Sequence, residues 1–266
     1  LTRAPGVAKP TATPQQKLER RVRRAAAGRG LHEAVTWSFL PVPEAEHFAD
    51  GAQLWVLDNP ISEDLKAMRP SLLPGLLTAA KRASDRGAAG ARLFEIGRRY
   101  FRGEGGHSDE RATLGLVLAG EKTPRGWANG KAQGFDAYDA KALALALLEA
   151  AGAPVDNLMV MGPDSLGPGP QFHPGQSATL RLGPKKVLAR FGALHPNTLK
   201  AFDIDGPVVA AEIFLDAIPE KKNAGFARAV YSPPALQPVM RDFAFLVDSS
   251  LPAGDLVKAV KGADKQ

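Results

Sequence analysis

The sequence has no cysteine, which excludes disulfides, thiolate metal sites and a cysteine nucleophile. No apolar run approaches the roughly 20 residues a membrane-spanning helix needs, and no secretory signal opens the chain. No membrane is therefore expected as a partner, and the cytoplasm is the expected compartment. Glycine-rich phosphate loops are missing too: there is no G-x-x-x-x-G-K-[ST] and no G-x-G-x-x-G after a strand. No H-E-x-x-H is present; His173 and His195 each precede proline and lack an acidic or histidine partner at helical ligand spacing, so they read as turn residues and no metal is expected.

What is there suits a folded domain. The 266 residues are 44% hydrophobic and 23% charged, enough for a sizeable core in one or two domains. The net charge of +6 is uneven, because residues 1–30 hold eight Lys/Arg against one acid while the rest is close to balanced. At the centre, residues 54–58 (Leu-Trp-Val-Leu-Asp) read as a buried strand that Asn59-Pro60 ends. Ser71 then reads as the N-cap of a helix. Pro74 is tolerated in its first turn, and Leu72, Leu73, Leu76, Leu77 and Ala80 form an apolar stripe. Lys81, Arg82 and Arg86 suit its C-terminal end.

Residues 1–14, with Pro5, Gly6, Pro10 and Pro14, read as an extended lead-in that follows another domain. A helix over 15–28 carries a narrow stripe of Leu18, Val22, Ala25 and Ala26, and a basic face of Lys17, Arg20, Arg21 and Arg24. That face suits plain solvation, RNA phosphates or an acidic partner. Strands are expected at 33–39, 92–101, 113–119, 177–182, 187–194 and 208–215. Helices are expected at 139–151 and after Pro196, and a glycine- and proline-rich loop at 162–170. Strands outnumber helices and the hairpin links are short. The pattern is α+β with a mostly antiparallel sheet flanked by helices. A boundary is expected near 221–227, giving a core over 15–226 and a short piece over 227–266 with a strand at 240–248 and a helix at about 253–260.

Five blocks carry a resemblance. They are Val35-Thr36-Trp37-Ser38-Phe39; Asn59-Pro60-Ile61-Ser62 with Met68-Arg69-Pro70-Ser71-Leu72-Leu73-Pro74-Gly75-Leu76-Leu77; Leu93-Phe94-Glu95-Ile96-Gly97-Arg98; His173-Pro174-Gly175-Gln176-Ser177-Ala178; and Gly192-Ala193-Leu194-His195-Pro196. In this order they resemble the catalytic-like core of the bacterial phenylalanyl-tRNA synthetase beta subunit, over residues 14–218. The resemblance implies a class II aminoacyl-tRNA synthetase-like fold in a C-terminal fragment of that subunit. It implies a truncated ferredoxin-like, anticodon-binding piece over 227–266. The whole enzyme is implied to be a cytoplasmic heterotetramer with an alpha subunit as partner, joining phenylalanine to tRNA with ATP and magnesium. In class II synthetases a long helix and a following strand build the subunit interface, so Leu18, Arg21, Val22 and Ala25 are candidate interface residues.

The same resemblance bears on catalysis. Phe101-Arg102-Gly103-Glu104 is similar to the Phe-Arg-x-Glu pattern that sets an arginine on the ATP alpha-phosphate, where a fixed guanidinium stabilises developing charge. Arg102 and Glu104 are therefore the alternative cofactor-binding residues, set against a charged hairpin tip. The returning strand lacks the adenine-stacking phenylalanine. The late strand Val208–Leu215 lacks the second arginine and its glycine pair. The expectation is a fragment with no catalytic residue and no cofactor of its own, supporting assembly and tRNA aminoacylation by the whole enzyme. The alternatives are an active adenylating domain and an independent basic RNA-binding module. Arg69, in a turn, and Glu95, in an apolar strand, are a candidate structural pair.

Overall fold

In this computed structural model the described residues are 11–219, 230–233 and 235–263, with Glu104 described by its backbone alone. The first helix, α1 (Pro14–Ala27), begins with a reciprocal cap in which the Thr13 hydroxyl accepts from Gln16 N–H and the Gln16 side chain accepts from Thr13 N–H. After it come β1 (His32–Glu33), β2 (Phe39–Leu40), α2 (Val42–Glu46), β3 (Ala67–Met68) and α3 (Leu73–Asp85). A long hairpin of β4 (Gly90–Arg102) and β5 (Ser108–Thr123) is followed by β6 (Gln133–Gly134) and α4 (Ala137–Ala151). The remaining elements of this unit are β7 (Leu158–Met161), β8 (Phe172–Leu182), β9 (Lys186–Leu194), α5 (Pro196–Ala201) and β10 (Val208–Phe214).

One sheet runs β1-β4-β5-β10-β9-β8-β7, with β6 beside β5, and β2 pairs with β3 separately. Every pair in the main sheet is antiparallel except β1 with β4. Helices cover both faces, which is why β10 reads Val-Val-Ala-Ala without a polar alternation. On one face Val22 and Ala26 of α1 and Ala144, Leu147 and Leu148 of α4 pack on Phe94, Leu114, Leu116 and Ile213. On the other, Leu73, Leu76 and Leu77 of α3 join Phe48, Val117, Phe172, Leu194, Phe202 and Ala210. Each of those leucines contributes on the order of 1.5–3 kcal/mol by leaving water.

The architecture is the expected mixed α+β with a large, mostly antiparallel sheet, but several local expectations fail. Residues 54–58 form no strand; Val56 makes a single bridge to Ala67, because β3 is only two residues long and offers no further ladder. Residues 33–39 split between β1 and β2. After Ala34 N–H reaches Phe94 O (2.7 Å), the chain leaves the sheet so that Thr36 can turn towards Glu95. Ser71 lies one residue before the N-cap, Leu72, though its Oγ still accepts from Leu73 N–H at 3.0 Å. Of the expected interface stripe, Val22 is buried, and Leu18 and Ala25 are half-buried against the same core.

The chain divides into two compact units, Leu1–Lys222 and Asn223–Gln266. Within the second unit α6 (Ala253–Gly262) forms, but residues 240–248 are not a strand, for no ladder partner is present among the described residues. The expected boundary at 221–227 and most of the lead-in lie outside the described residues. No helix is long and apolar enough to cross a membrane among the described residues.

Candidate functional site

The α3 face of the sheet carries a row of polar positions. Strand registers align Glu95 of β4 with Gly115 of β5, Gly115 with Glu212 of β10, Glu212 with Arg190 of β9, and Arg190 with Thr179 of β8. Carboxylates and guanidinium groups are thus set under a helix, where each needs a partner.

Arg69 and Glu95 meet at one end. Arg69 Nη1 lies 2.8 Å from Glu95 Oε1, and Thr36 Oγ1 donates to Glu95 Oε2 at 2.6 Å. Arg69 Nε donates to Arg98 O, while its backbone joins Ser38 O and the Tyr100 N–H. Both side chains are buried, so the pair fixes the turn before α3 against β4. Gly97 makes the room: a Cβ there would strike Arg69 Nη2 and stand 3.1 Å from Leu72 Cδ2. At Gly115 a Cβ would come within 2.9 Å of Leu72 Cβ.

Glu212 and Arg190 form the second cluster. Glu212 Oε1 accepts from Ser71 Oγ (2.7 Å) and Leu72 N–H (3.2 Å), and Oε2 accepts from Arg190 Nε (2.7 Å), with Arg190 Nη2 2.5 Å away in the same ion pair. Arg190 Nη1 also pairs with Asp50, a residue in the left-handed region at φ 51°. Gln171 completes the cluster with its amide oxygen set 2.8 Å from Arg190 Nη1 and its nitrogen 2.8 Å from Asp50 Oδ1. Burial alone pushes the Glu212 carboxyl up. The Arg190 and Arg99 charges and the Ser71 bond outweigh it, and the net direction is down. Arg190 moves the opposite way, burial lowering it and Glu212 and Asp50 together raising it.

This second cluster escaped sequence reasoning. Its signal was a lone charge in an otherwise apolar run, as in residues 187–194 and Val208–Phe214, the same signal that singled out Glu95.

The remaining candidates lie apart. Arg102 is exposed at the end of β4, paired in register with Ser108, and the Glu104 side chain lies outside the described part. Arg21 Nη2 donates to Ala151 O at 2.8 Å, tying α1 to the end of α4. His173 and His195 stack with ring centroids 6.3 Å apart, and each Nδ1 accepts a backbone N–H, from Gly175 and Asn197 respectively. No group of three metal-capable side chains occurs among the described residues. Clefts of about 200 and 630 Å³ share Asp203, Ile204, Asp205, Pro207 and Val208 and include none of the Glu95 or Glu212 cluster.

A family model described as the phenylalanyl tRNA synthetase beta chain CLM domain matches residues 2–215. The chain belongs to the phenylalanyl-tRNA synthetase beta-chain family. Among curated members, the phenylalanine–tRNA ligase beta subunit of Novosphingobium aromaticivorans is 74% identical over all of this chain and 33% of its own length. That of Zymomonas mobilis subsp. mobilis is 55% identical over all of this chain and 32% of its own. The chain therefore spans about a third of the length of these relatives. Among solved structures, the pyrrolysyl-tRNA synthetase PylSc of Desulfitobacterium hafniense superposes with a TM-score of 0.57 at 21% identity, covering 76% of this chain and 66% of that one. At that identity the likeness speaks for the fold alone.

Proposed function

We propose that the chain is a non-catalytic core module of a phenylalanine–tRNA ligase beta subunit whose role is assembly with the alpha subunit. The observation that carries this reading is the segment between β1 and β2. Ala34 and Thr36 turn inward, onto the α3-side core and Glu95, while Val35 and Trp37 between them stand 91% and 78% exposed. Two large apolar side chains beside the edge strand of a sheet form a surface that a partner chain covers. The interface is thus assigned to this segment instead of the stripe of Leu18, Val22 and Ala25. Support for the non-catalytic part comes from the α3 face, where Arg69 and Arg190 are held by this chain's own carboxylates.

The whole protein, on this reading, works in the cytoplasm as part of an alpha–beta heterotetramer that joins phenylalanine to tRNA with ATP and magnesium. On this reading residues 227–266 belong to a ferredoxin-like anticodon-binding domain, in which Val257 and Val260 of α6 are exposed.

Co-expression with a matching alpha subunit and size-exclusion chromatography test the reading. The chain co-elutes with alpha, and Trp37→Ala weakens the complex by at least about thirtyfold, as loss of a buried aromatic anchor worth ~2 kcal/mol does. Co-elution unchanged by Trp37→Ala and Val35→Ser together would remove the reading's support. ATP–pyrophosphate exchange dependent on Arg102 would instead establish the adenylating alternative. Exposed Lys17, Arg20 and Arg24 favour a second reading, contact with RNA phosphates, which requires salt-sensitive binding that their neutralisation weakens.

A further inference from the structure

Four arginines of the core are at least nine-tenths buried: Arg69, Arg99, Arg181 and Arg190. Three have a carboxylate, namely Glu95, Asp164, and Glu212 with Asp50. Arg99, 8% exposed, has none within bonding distance among the described side chains. Its Nε donates to Thr113 Oγ1 at 2.7 Å, and its guanidinium carbon lies 4.3 Å from the Phe214 ring centroid and 5.3 Å from that of Phe101. A guanidinium carries five N–H donors, so the Thr113 bond leaves the outer edge of the group unengaged.

Arg99 lines a cleft of about 370 Å³ together with Phe214, Val187, Leu166, Asp216 and Arg111, whose Nε and Nη2 are already held by Asp109. Burial pushes the Arg99 guanidinium down from its ordinary value; the more distant Glu212 and Asp216 oppose the shift and Arg190 adds to it. A cation taken out of water without a bonded counter-ion is a standing cost that an oxyanion in the cleft would offset.

We propose that this cleft is a binding site for one small oxyanion, a carboxylate or phosphate group, held on the free edge of Arg99 with Arg111 at its rim. The planar fork of a guanidinium matches two oxygens of such a group. Phe214, Val187 and Leu166 take a short apolar body attached to it. Asp50 and Asp216 on the same walls select against more highly charged ligands such as a nucleoside triphosphate.

The test uses the full chain at constant ionic strength, titrated separately with sodium benzoate, inorganic phosphate, ATP and sodium chloride. Thermal unfolding is followed together with the arginine Nε–Hε resonances of labelled protein. Benzoate or phosphate is expected to raise the unfolding midpoint saturably and to shift the Arg99 resonance, with ATP and chloride giving neither. Whichever of the two anions acts identifies the group. Arg99→Lys, which keeps the charge and loses the fork, weakens binding by about tenfold, the worth of one charge-assisted bond. Arg111→Gln weakens it less. No saturable response to either anion, or a response unchanged in Arg99→Lys, overturns the proposal. Should Arg99→Lys fail to fold, the wild-type resonance shift and the Arg111→Gln titration decide.

Discussion

Replacing Glu212 by Gln changes one atom in the centre of the sheet, and the structure sets the expected size of the effect. The carboxylate is completely buried and accepts three hydrogen bonds, two on Oε1 and one on Oε2, where Arg190 Nη2 adds an ion-pair contact. An amide keeps an oxygen for Ser71 Oγ and Leu72 N–H but sets an NH2 against Arg190, two donors face to face. Arg190 retains Asp50 and Gln171, so its charge is not wholly orphaned. Breaking a buried pair by removing one partner costs about 3–5 kcal/mol, and the surviving partners put this variant near the lower end, ~3 kcal/mol. For a unit the size of Leu1–Lys222, that lowers the unfolding midpoint by about 6–12 °C. Urea unfolding monitored by circular dichroism measures it, as a lower midpoint concentration at unchanged slope. A further change, Arg190→Met in the same chain, removes the unpaired cation and is expected to recover part of the loss. A cost below about 1 kcal/mol for Glu212→Gln would refute the argument that this carboxylate ties α3 to the sheet.

The same group sets a pH dependence. The folded Glu212 carboxyl lies below its ordinary value of 4.5, so the unfolded chain binds its proton first as pH falls. Its contribution is complete above that value and is lost as pH drops through the lower folded value. The stability gap between wild type and Glu212→Gln is therefore constant from about pH 5 to 8 and narrows below about 4.5; a gap that widens on acidification contradicts the shift. Gly97→Ala drives a methyl group into Arg69 and Leu72 and is expected to cost about 1–3 kcal/mol by overpacking, read by the same unfolding assay.

Local signals made much of the fold legible. The apolar stripe of 18–26, the leucine spacing of 72–77, and the alanine–leucine run before Gly152 each mark a helix within one or two residues, because 3.6-residue periodicity acts inside the element. Alternation marked β4 and an apolar run marked the middle of β5, which extends several residues beyond the expected 113–119 at each end. The failures came where a segment's conformation depends on distant residues. Residues 54–58 have the composition of a strand and lack a ladder to join. Residues 33–39 break because Thr36 is drawn to Glu95, 59 positions away. The stripe on α1 was visible, but not that it faces this chain's own core.

Short motifs, periodicity and composition were enough for the family, the α+β character and the places where a charge interrupts an apolar strand. Which of those charges meet was settled in three dimensions. Strand register aligned Glu95, Glu212 and Arg190 in one row and left Arg99 lining a cleft without a carboxylate of its own. Helix signals lie within a few residues of one another, whereas a buried ion pair joins residues up to about 140 positions apart, such as Asp50 and Arg190, and exists only once the sheet is assembled.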